Sequence, residues 1–296
     1  MTTTVGMVGL GIMGSAMSSN LLAAGFAVTG SDIDRNRIDD FRAKGGTPAA
    51  SPREAVADAE IAILSLPSIA AFEDVVGGAD GLAASGRRGL AVIETSTLPI
   101  PVKECARDLL AEAGIALMDC PLSGTGAQAV TKDLAVYASG EAADYERCVP
   151  VFEGFARAHY HVGAFGDGSR MKFVANHLVA IHNVAAAEAF VLGMKAGLDA
   201  ETIYRVIGDG AGTSRMFEVR GPMMVAGDYD AATMKNQVWQ KDMSIIGAFA
   251  KELDCPVPLF AASGEIYSAA MAQDHGARDT AAVCAVLEAM AGLKRE

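Results

Sequence analysis

Three glycines near the start of the chain have the spacing of a phosphate-binding turn. The pattern G-x-G-x-x-G covers six consecutive residues, Gly9, Leu10, Gly11, Ile12, Met13 and Gly14. A short apolar run precedes it and apolar residues at helical spacing follow it, so a strand turns into a helix here. The glycines permit a tight turn, close approach of a pyrophosphate, and packing of the helix on the strand. The helix N-terminus then faces the phosphates, which predicts a dinucleotide site; the alternative is a strand–turn–helix without a ligand.

An acidic residue at the end of the second predicted strand is placed to contact the ribose of such a dinucleotide. Asp32 lies 18 positions after Gly14, about where a carboxylate hydrogen-bonds the adenosine ribose hydroxyls. A carboxylate there repels the 2′-phosphate of NADP, and Ile33 carries no charge to offset it, so Asp32 favours NAD. The alternative is that Asp32 or Asp34 caps the next helix. We assign the cap to Asp34 and the ribose contact to Asp32.

A second group of polar residues lies on a long predicted helix in the second half of the chain. At about 100° per residue, Lys172, Asn176 and Asn183 fall within about 40° of one another on the helix surface. We place Lys172 in the first turn, where the helix dipole and partial burial are expected to lower its pKa toward that of a proton-transferring group. An alcohol that loses hydride also loses a proton, and one amine near the carbinol is sufficient for that. A solvated lysine and a helix–helix hydrogen bond from Asn176 explain the pattern equally well.

The secondary structure predicted around these residues changes along the chain from alternating strands and helices to helices alone. Strand and helix patterns alternate from the start, which predicts a parallel sheet covered by helices on both faces. In a doubly wound sheet, ligands bind beyond the carboxyl ends of the strands, where we place the loops 67–68, 96–97 and 121–124. After a glycine-rich break the strand signals stop and helical periodicity begins. We therefore predict a dinucleotide-binding domain at 1–165 and a helical domain at 166–296, with a long linking helix at about 169–196.

The overall composition and charge indicate which partners and which cellular compartment to expect. The chain has 296 residues, is 51% hydrophobic and carries a formal net charge of −12, which indicates a globular protein and argues against nucleic acid or an anionic membrane as partner. Polar residues interrupt the apolar run at 179–192, so we do not expect it to span a bilayer. The absence of a signal-peptide pattern and five dispersed cysteines favour a cytoplasmic protein. His159 and His161 share a strand face without a third ligand nearby, so no metal site is expected.

Taken together, these residues resemble the β-hydroxyacid dehydrogenase family, the group of 3-hydroxyisobutyrate and tartronate-semialdehyde-type enzymes. The resemblance covers essentially the whole chain, and its motifs occur in the family's order. They are the glycine turn with Met17, Asn20 and Leu21, the run Asp119-Cys120-Pro121-Leu122-Ser123-Gly124, Gly166-x-Gly168 followed by Lys172 and Asn176, and Lys241-Asp242-Met243. The fold that this resemblance implies is α/β, a Rossmann-type doubly wound sheet followed by an all-α domain.

The resemblance also implies a reaction and the residues that carry it. The reaction is hydride transfer between NAD and a small 3-hydroxy acid, or reduction of the matching semialdehyde, with Lys172 as the proton-transferring residue. The implied substrate contacts are Ser123, Gly124, Asn176 and Lys241, and the implied further cofactor contacts are Leu66, Pro67, Thr97 and again Lys241. The implied partners are a small carboxylic-acid substrate and further copies of the chain, as a homodimer or homotetramer.

The substrate loop departs from the family pattern, which leaves the substrate open. Thr125 stands where a second glycine is usual, and Lys132 replaces a customary loop glycine. The stretch 210–218 is more similar to the branch that acts on four-carbon sugar acids such as threonate, in which Arg215 either pairs with a carboxylate or lies on the surface. A non-catalytic NAD-binding protein should have lost Lys172, and imine reductases commonly have a different residue there. Both of these functions are therefore disfavoured.

Overall fold

The chain folds into two compact units, Met1–Lys172 and Phe173–Glu296, in a computed structural model that describes residues 3–295. The first unit contains the sheet and the second is helical. One long helix, α8 (Asp167–Lys195), runs from the first unit into the second. Because α8 begins at Asp167, Lys172 lies in its second turn and not in its first. The effect of the helix dipole falls off within the first turn, so this part of the argument for the lysine is weakened.

The sheet of the first unit has nine strands within the described residues. They are β1 (Thr4–Val8), β2 (Ala27–Ser31), β3 (Thr47–Pro48), β4 (Ile61–Leu64), β5 (Ala91–Glu94), β6 (Ala116–Asp119), β7 (Leu122–Ser123), β8 (Ala135–Ser139) and β9 (Ala158–Gly163). From β3 to β6, in the order β3-β2-β1-β4-β5-β6, all neighbours are parallel.

The edge of the sheet beyond β6 differs from the predicted parallel arrangement. β8 pairs antiparallel with both β6 and β7, whereas β9 pairs parallel with β8. The expected parallel pairing is therefore confirmed from β3 to β6, whereas the pairing of β8 with β6 and β7 departs from it. Antiparallel neighbours need only a short connection, and the chain returns from β7 to β8 through the one-turn helix α6 (Gly126–Val130) without a long crossover.

Helices cover both faces of this sheet. In chain order the others of this unit are α1 (Ile12–Ala23), α2 (Arg35–Ala43), α3 (Pro52–Ala55), α4 (Ile69–Gly77), α5 (Ile100–Glu112) and α7 (Ala142–Phe155). Met7 and Ile63 pack in one apolar cluster with Met17 of α1, whereas the next residues along the two strands, Val8 and Leu64, belong to a separate cluster. Successive residues of these strands are thus buried on opposite faces, which explains their continuous apolar sequence.

The second unit is built from the rest of α8 and five further helices of the described chain. These are α9 (Ala200–Gly208), α10 (Arg215–Ala226), α11 (Asn236–Glu252), α12 (Pro258–Ala272) and α13 (Val283–Met290), with a 3₁₀ turn at Thr280–Ala282. Within residues 3–295, α8 is the one helix whose length and composition would allow it to cross a membrane, a test that core helices of globular proteins also pass. Asn183 of α8 is buried and donates to the Tyr267 hydroxyl at 3.0 Å and to the Thr280 carbonyl at 2.9 Å. This side chain therefore helps to hold the helical unit together.

Candidate active site

The glycine turn joins the end of β1 to the start of α1. Gly9 has φ of +91°, and a Cβ there would lie 2.2 Å from the carbonyl oxygen of Ser65, so the turn accepts only glycine. A Cβ on Gly14 would lie 1.9 Å from the Gly9 carbonyl oxygen, because α1 packs directly on the turn. Gly11 is the N-cap of α1, and the helix has no side-chain cap among the described residues. The nearest atom to a Cβ on Gly11 would be a guanidinium nitrogen of Arg37, 3.6 Å away.

This geometry fits the phosphates of a dinucleotide. The backbone N–H groups of the first helical turn are not capped by a described side chain, and the space over Gly11 that a Cβ would fill is open to a phosphate. Helix N-termini with such uncapped donors bind anions because the N–H groups and the helix dipole both favour negative charge.

Asp32 is fixed beside the turn by backbone donors. Its Oδ2 accepts a hydrogen bond from the N–H of Leu10 at 2.7 Å, and its Oδ1 accepts one from the N–H of Asp34 at 2.8 Å. The N-cap of α2 is Asp34, whose Oδ1 accepts a hydrogen bond from the N–H of Asn36 at 2.9 Å. The prediction that Asp34, and not Asp32, caps this helix is therefore confirmed. Sequence reasoning missed the neighbouring Arg37, whose Nη1 lies 3.4 Å from Asp32 Oδ2.

The loops that follow β4 and β5 are tied to each other next to the turn. Ser96 Oγ accepts a hydrogen bond from the N–H of Leu66 at 2.9 Å. Pro67 is exposed and Thr97 is half-buried. Since the Ser65 carbonyl lies against Gly9, these loops border the turn at the carboxyl ends of β4 and β5, where ligands bind in doubly wound sheets.

The loop after β7 has a conformation that explains one departure from the family pattern. Gly124 has φ of +134°, and a Cβ there would lie 2.6 Å from a methyl carbon of Leu134. Thr125, which replaces a customary glycine, is the N-cap of α6 and forms a capping box with Gln128. Lys132 has φ of +62°, a left-handed conformation that favours glycine, and its side chain is exposed. The threonine therefore stabilises a local helix start, whereas the lysine takes a mildly strained backbone.

The substrate loop and the glycine turn contact each other. A Cβ on Gly126 would lie 2.4 Å from the side chain of Ile12, so α6 approaches the start of α1 closely. Asn20 of α1 donates from Nδ2 to the carbonyl of Ala129 at 2.8 Å. The two motifs, which are more than a hundred residues apart in sequence, are thus neighbours in the first unit.

Lys172 reaches the same loop. Its Nζ donates a hydrogen bond to the carbonyl oxygen of Leu122 at 2.6 Å, and its side chain is half-buried. Leu122 immediately precedes Ser123, so the Nζ atom is held within one residue of the loop position expected to bind a substrate carboxylate. An amine in this position can attract an anion and can exchange a proton with a bound hydroxyl.

A buried ion cluster holds the start of α8 against the carboxyl ends of β5 and β6. Lys103 of α5 has its Nζ 2.5 Å from Glu94 Oε2 and 2.7 Å from Asp119 Oδ1, and it donates to the carbonyl of Ser96 at 2.7 Å. Asp119 accepts hydrogen bonds from the N–H of Ser169 at 2.7 Å and from its Oγ at 2.9 Å. The cluster therefore connects the loop at Ser96 to the first turn of α8, three residues before the catalytic candidate.

The charges of this cluster depend on burial and on one another. Burial raises the pKa of Glu94, and the Lys103 ammonium opposes that rise only in part. Burial by itself would lower the pKa of Lys103. The attraction of the Asp119 and Glu94 carboxylates is stronger and raises this pKa above the ordinary range. The lysine is therefore a fixed cation between two strand ends.

In the helical unit, one carboxylate links two of the sequence candidates. Asn176 of α8 donates from Nδ2 to Asp242 Oδ2 at 2.9 Å, and Lys241 Nζ lies 3.5 Å from Asp242 Oδ1. Asn176 and Asp242 are buried, whereas Lys241 is half-buried. Asp242 was not singled out from the sequence, although it lies within the Lys241-Asp242-Met243 motif. The Asp242 carboxylate contacts Asn176 and Lys241 and thereby orients both side chains.

The two histidines of β9 are engaged in hydrogen bonds. His159 Nδ1 lies 2.7 Å from the Tyr145 hydroxyl, and His161 Nε2 lies 2.9 Å from the carbonyl oxygen of Gly140. Residues 3–295 contain no group of three or more metal-ligating side chains.

Comparison with known proteins decides the family. The family described as "NAD binding domain of 6-phosphogluconate dehydrogenase" matches residues 4–163, and that described as "NAD-binding of NADP-dependent 3-hydroxyisobutyrate dehydrogenase" matches residues 166–287. The L-threonate dehydrogenase of Cupriavidus necator is 34% identical over 284 residues, which cover 96% of this chain and 95% of that protein. The chain belongs to the β-hydroxyacid dehydrogenase family.

Two further similarities support the same assignment. The 3-sulfolactaldehyde reductase of Escherichia coli is 33% identical, and the match covers 98% of this chain and 97% of that protein. A 3-hydroxyisobutyrate dehydrogenase from Salmonella typhimurium has a crystal structure with a TM-score of 0.88 to this chain at 30% identity, covering 96% of this chain and 99% of that one. This β-hydroxyacid dehydrogenase is a nicotinamide-dependent oxidoreductase, so the fold class, the reaction class and the kind of cofactor expected from the sequence are confirmed.

Proposed function

We propose that this dehydrogenase oxidises a small 3-hydroxy acid with NAD, or reduces the matching semialdehyde, and that Lys172 transfers the hydroxyl proton. The observation that carries the proposal is the 2.6 Å hydrogen bond from Lys172 Nζ to the Leu122 carbonyl, because it holds the amine beside Ser123. When bound, the nicotinamide supplies the acceptor or donor of the hydride. In the oxidation the substrate loses a C–H hydride to the nicotinamide and an O–H proton to the neutral amine of Lys172, and becomes a carbonyl compound. In the reduction the Lys172 ammonium returns that proton to the carbonyl oxygen.

The substrate loop offers groups for an anionic substrate. Ser123 supplies a hydroxyl and Gly124 supplies a backbone N–H, both beside the Lys172 Nζ at one end of β7. We propose that Ser123 and Gly124 hold the substrate carboxylate. In the helical unit, Asp242 fixes Asn176 and Lys241, which we propose as further substrate contacts, with Lys241 also serving the cofactor.

On the cofactor side, we propose that the glycine turn binds the pyrophosphate and that Asp32 binds the adenosine ribose. Support comes from the uncapped N-terminus of α1 and from the two backbone donors that aim the Asp32 carboxylate beside it. The loops that carry Leu66, Pro67 and Thr97 border the turn, which suits a place near the nicotinamide. A carboxylate at the ribose makes NAD the preferred cofactor.

A four-carbon sugar acid is the second candidate substrate. It is favoured by the 34% identical relative, whose name is L-threonate dehydrogenase, and by the sequence of 210–218. Other relatives are named for 3-sulfolactaldehyde and 3-hydroxyisobutyrate, which also combine an acid group with an alcohol or aldehyde. Arg215 gives this candidate no support, because it is exposed and pairs with Glu218 of its own helix at 3.1 Å.

The experiment for the substrate class is a screen of NAD and NADP reduction with the purified full chain. The panel contains 3-hydroxyisobutyrate, glycerate, both enantiomers of threonate and erythronate, and 2-hydroxy acids of the same lengths as matched controls. We expect turnover with one or more 3-hydroxy acids and none above background with 2-hydroxy acids that lack a 3-hydroxyl. Turnover of simple 2-hydroxy acids alone, or of no member of the panel, would contradict the proposal.

We further propose a cytoplasmic homodimer or homotetramer. All five cysteines are free thiols and two of them, Cys105 and Cys255, are exposed, which suits a reducing compartment. The helical unit exposes several large apolar side chains that suit subunit contacts, among them Val174, Leu178, Leu192, Val206 and Leu259. Light scattering coupled to gel filtration gives the mass in solution; a value of one chain at micromolar concentration would contradict the assembly.

A further inference from the structure

A guanidinium group that the sequence argument did not consider lies at the edge of the glycine turn. Arg37 of α2 has its Nη1 3.4 Å from Asp32 Oδ2 and its Nε 3.5 Å from Asp34 Oδ2. The same Nη1 is 3.6 Å from the position of a Cβ on Gly11. The Arg37 side chain is 49% exposed, whereas that of Asp32 is only 5% exposed. The arginine therefore stands between the proposed ribose carboxylate and solvent.

The distances show that Arg37 is not locked to these carboxylates. Strong guanidinium–carboxylate hydrogen bonds are about 2.7–2.9 Å long, and both contacts here are longer. Half-exposed ion pairs of this kind contribute roughly 0–1 kcal/mol, so little opposes a reorientation toward a better anion. Asp32 does not depend on the arginine for its position, since the N–H groups of Leu10 and Asp34 hold both of its oxygens.

The electrostatic consequence concerns the choice between NAD and NADP. A 2′-phosphate beside Asp32 alone would meet a buried negative charge and be repelled. A guanidinium within 3.4 Å offsets that charge and offers several N–H donors in the planar arrangement that suits a phosphate. In related nucleotide-binding sheets a nearby arginine is the general means of accommodating a 2′-phosphate.

We propose that Arg37 is a specificity residue that binds the 2′-phosphate of NADP, so that this enzyme accepts NADP as well as the NAD that Asp32 favours. The inference rests on the proposed dinucleotide site at the glycine turn. It also extends the sequence argument, which considered only the uncharged Ile33, because Arg37, five positions after Asp32, lies beside the Asp32 carboxylate.

The same helix provides a matched control. Arg42 is exposed and pairs with Asp39 at 2.8 Å, one turn apart on α2, as Arg37 pairs with Asp34. Arg42→Gln and Arg37→Gln therefore change the charge of α2 equally and break an ion pair of the same spacing. Of these two arginines, Arg37 is the one that lies beside Asp32 and the turn.

The test is calorimetric titration of the full chain and both variants with NADH, NADPH, 5′-ADP and 2′,5′-ADP. We expect Arg37→Gln to weaken the binding of NADPH and 2′,5′-ADP by about tenfold or more. The binding of NADH and 5′-ADP should weaken by less than about twofold. Arg42→Gln should change none of them by more than about twofold. The 2′,5′-ADP arm reports the phosphate contact without the nicotinamide.

Each other outcome overturns a defined part of the account. Equal weakening of NADH and NADPH in Arg37→Gln, or no weakening of either, removes the role of Arg37 in specificity. Binding of NADH but not NADPH by the unmodified chain also contradicts that role, and leaves the proposed function intact. Binding of neither cofactor contradicts the proposed dinucleotide site itself.

Discussion

The Nζ atom of Lys172 donates a hydrogen bond to the carbonyl oxygen of Leu122, with a length of 2.6 Å. This bond joins α8 to the residue that precedes Ser123, and it lies wholly within the first unit. The start of α8 is in turn fixed by Asp119, which accepts two hydrogen bonds from Ser169. The position of the amine thus depends on a short series of contacts that begins at the carboxyl end of β6.

Gly11→Ala separates folding from cofactor binding at the turn. Gly11 has φ of −65°, and within residues 3–295 only Arg37 comes near the added Cβ, so the free protein should fold with a loss of about 1 kcal/mol from the weaker N-cap. The methyl group would occupy the space of a bound phosphate, so we expect NADH affinity to fall by about tenfold or more. Urea unfolding and calorimetric titration give the two quantities.

The control for the turn is Gly208→Ala at the end of α9, where an added Cβ meets no atom of the described residues within 4 Å. This variant should bind NADH like the unmodified chain. If Gly11→Ala also binds NADH normally, the phosphates lie elsewhere.

Ser169→Ala tests whether the contacts to Asp119 position the amine. The change removes the 2.9 Å bond from Ser169 Oγ and leaves its N–H bonded to Asp119. We expect a loss of about 1 kcal/mol of stability and a fall in kcat of about tenfold, with KM nearly unchanged, because the reacting geometry is displaced.

Ser18→Ala is the matched control for Ser169. Ser18 is equally buried and donates to the Ser15 carbonyl at 3.1 Å, so its loss should cost similar stability and leave kcat unchanged. Equal kcat values for Ser169→Ala and Ser18→Ala would reduce Ser169 to a purely structural residue.

The lowered pKa of the Asp279 carboxyl predicts how the stability of the helical unit changes at acid pH. Burial alone would raise the pKa of this carboxyl, but the Arg220 guanidinium at 3.1 Å and the N–H groups of Ala281 and Met234 lower it below its ordinary value. A carboxyl whose pKa is lower in the folded state stabilises that state above its unfolded pKa, and this stabilisation is lost as pH falls through the folded pKa.

Thermal unfolding between pH 3 and pH 7 measures this contribution. The Tm of the unmodified chain should fall below about pH 4 more steeply than that of Asp279→Asn, which has a lower Tm at neutral pH and lacks the titrating group. Asp39→Asn, at an exposed ion pair, should follow the unmodified chain. Parallel Tm curves for the unmodified chain and Asp279→Asn would show that another carboxyl governs the acid response.

The general architecture was accessible from the sequence because it rests on periodicity. Alternating strands and helices predicted the doubly wound sheet, and the change to helical spacing predicted the second, helical part. The antiparallel edge was not predicted, since β7 has two residues and therefore no periodicity of its own. Residues 121–124 were accordingly expected to form a loop.

The residues missed at the site depend on contacts that are distant in sequence. Asp242 is part of the site because it contacts Asn176 of α8. Arg37 is part of it because it lies near Gly11 of the turn, 26 positions earlier in the sequence. Lys103 carried a local signal: it shares one buried helix face with Ile100, Ala106 and Leu110, where a lysine requires carboxylate partners. Which carboxylates those are follows only from the order of β5 and β6 in the sheet.

The central claim is that the amine of Lys172 exchanges the substrate proton, and the most direct measurement is single-turnover reduction of NAD by Lys172→Ala with the best substrate of the screen. We expect the rate of NADH formation to fall by about a hundredfold or more, with NADH affinity within about threefold of the unmodified chain and partial recovery on addition of small primary amines. An unchanged single-turnover rate in this variant would contradict the account.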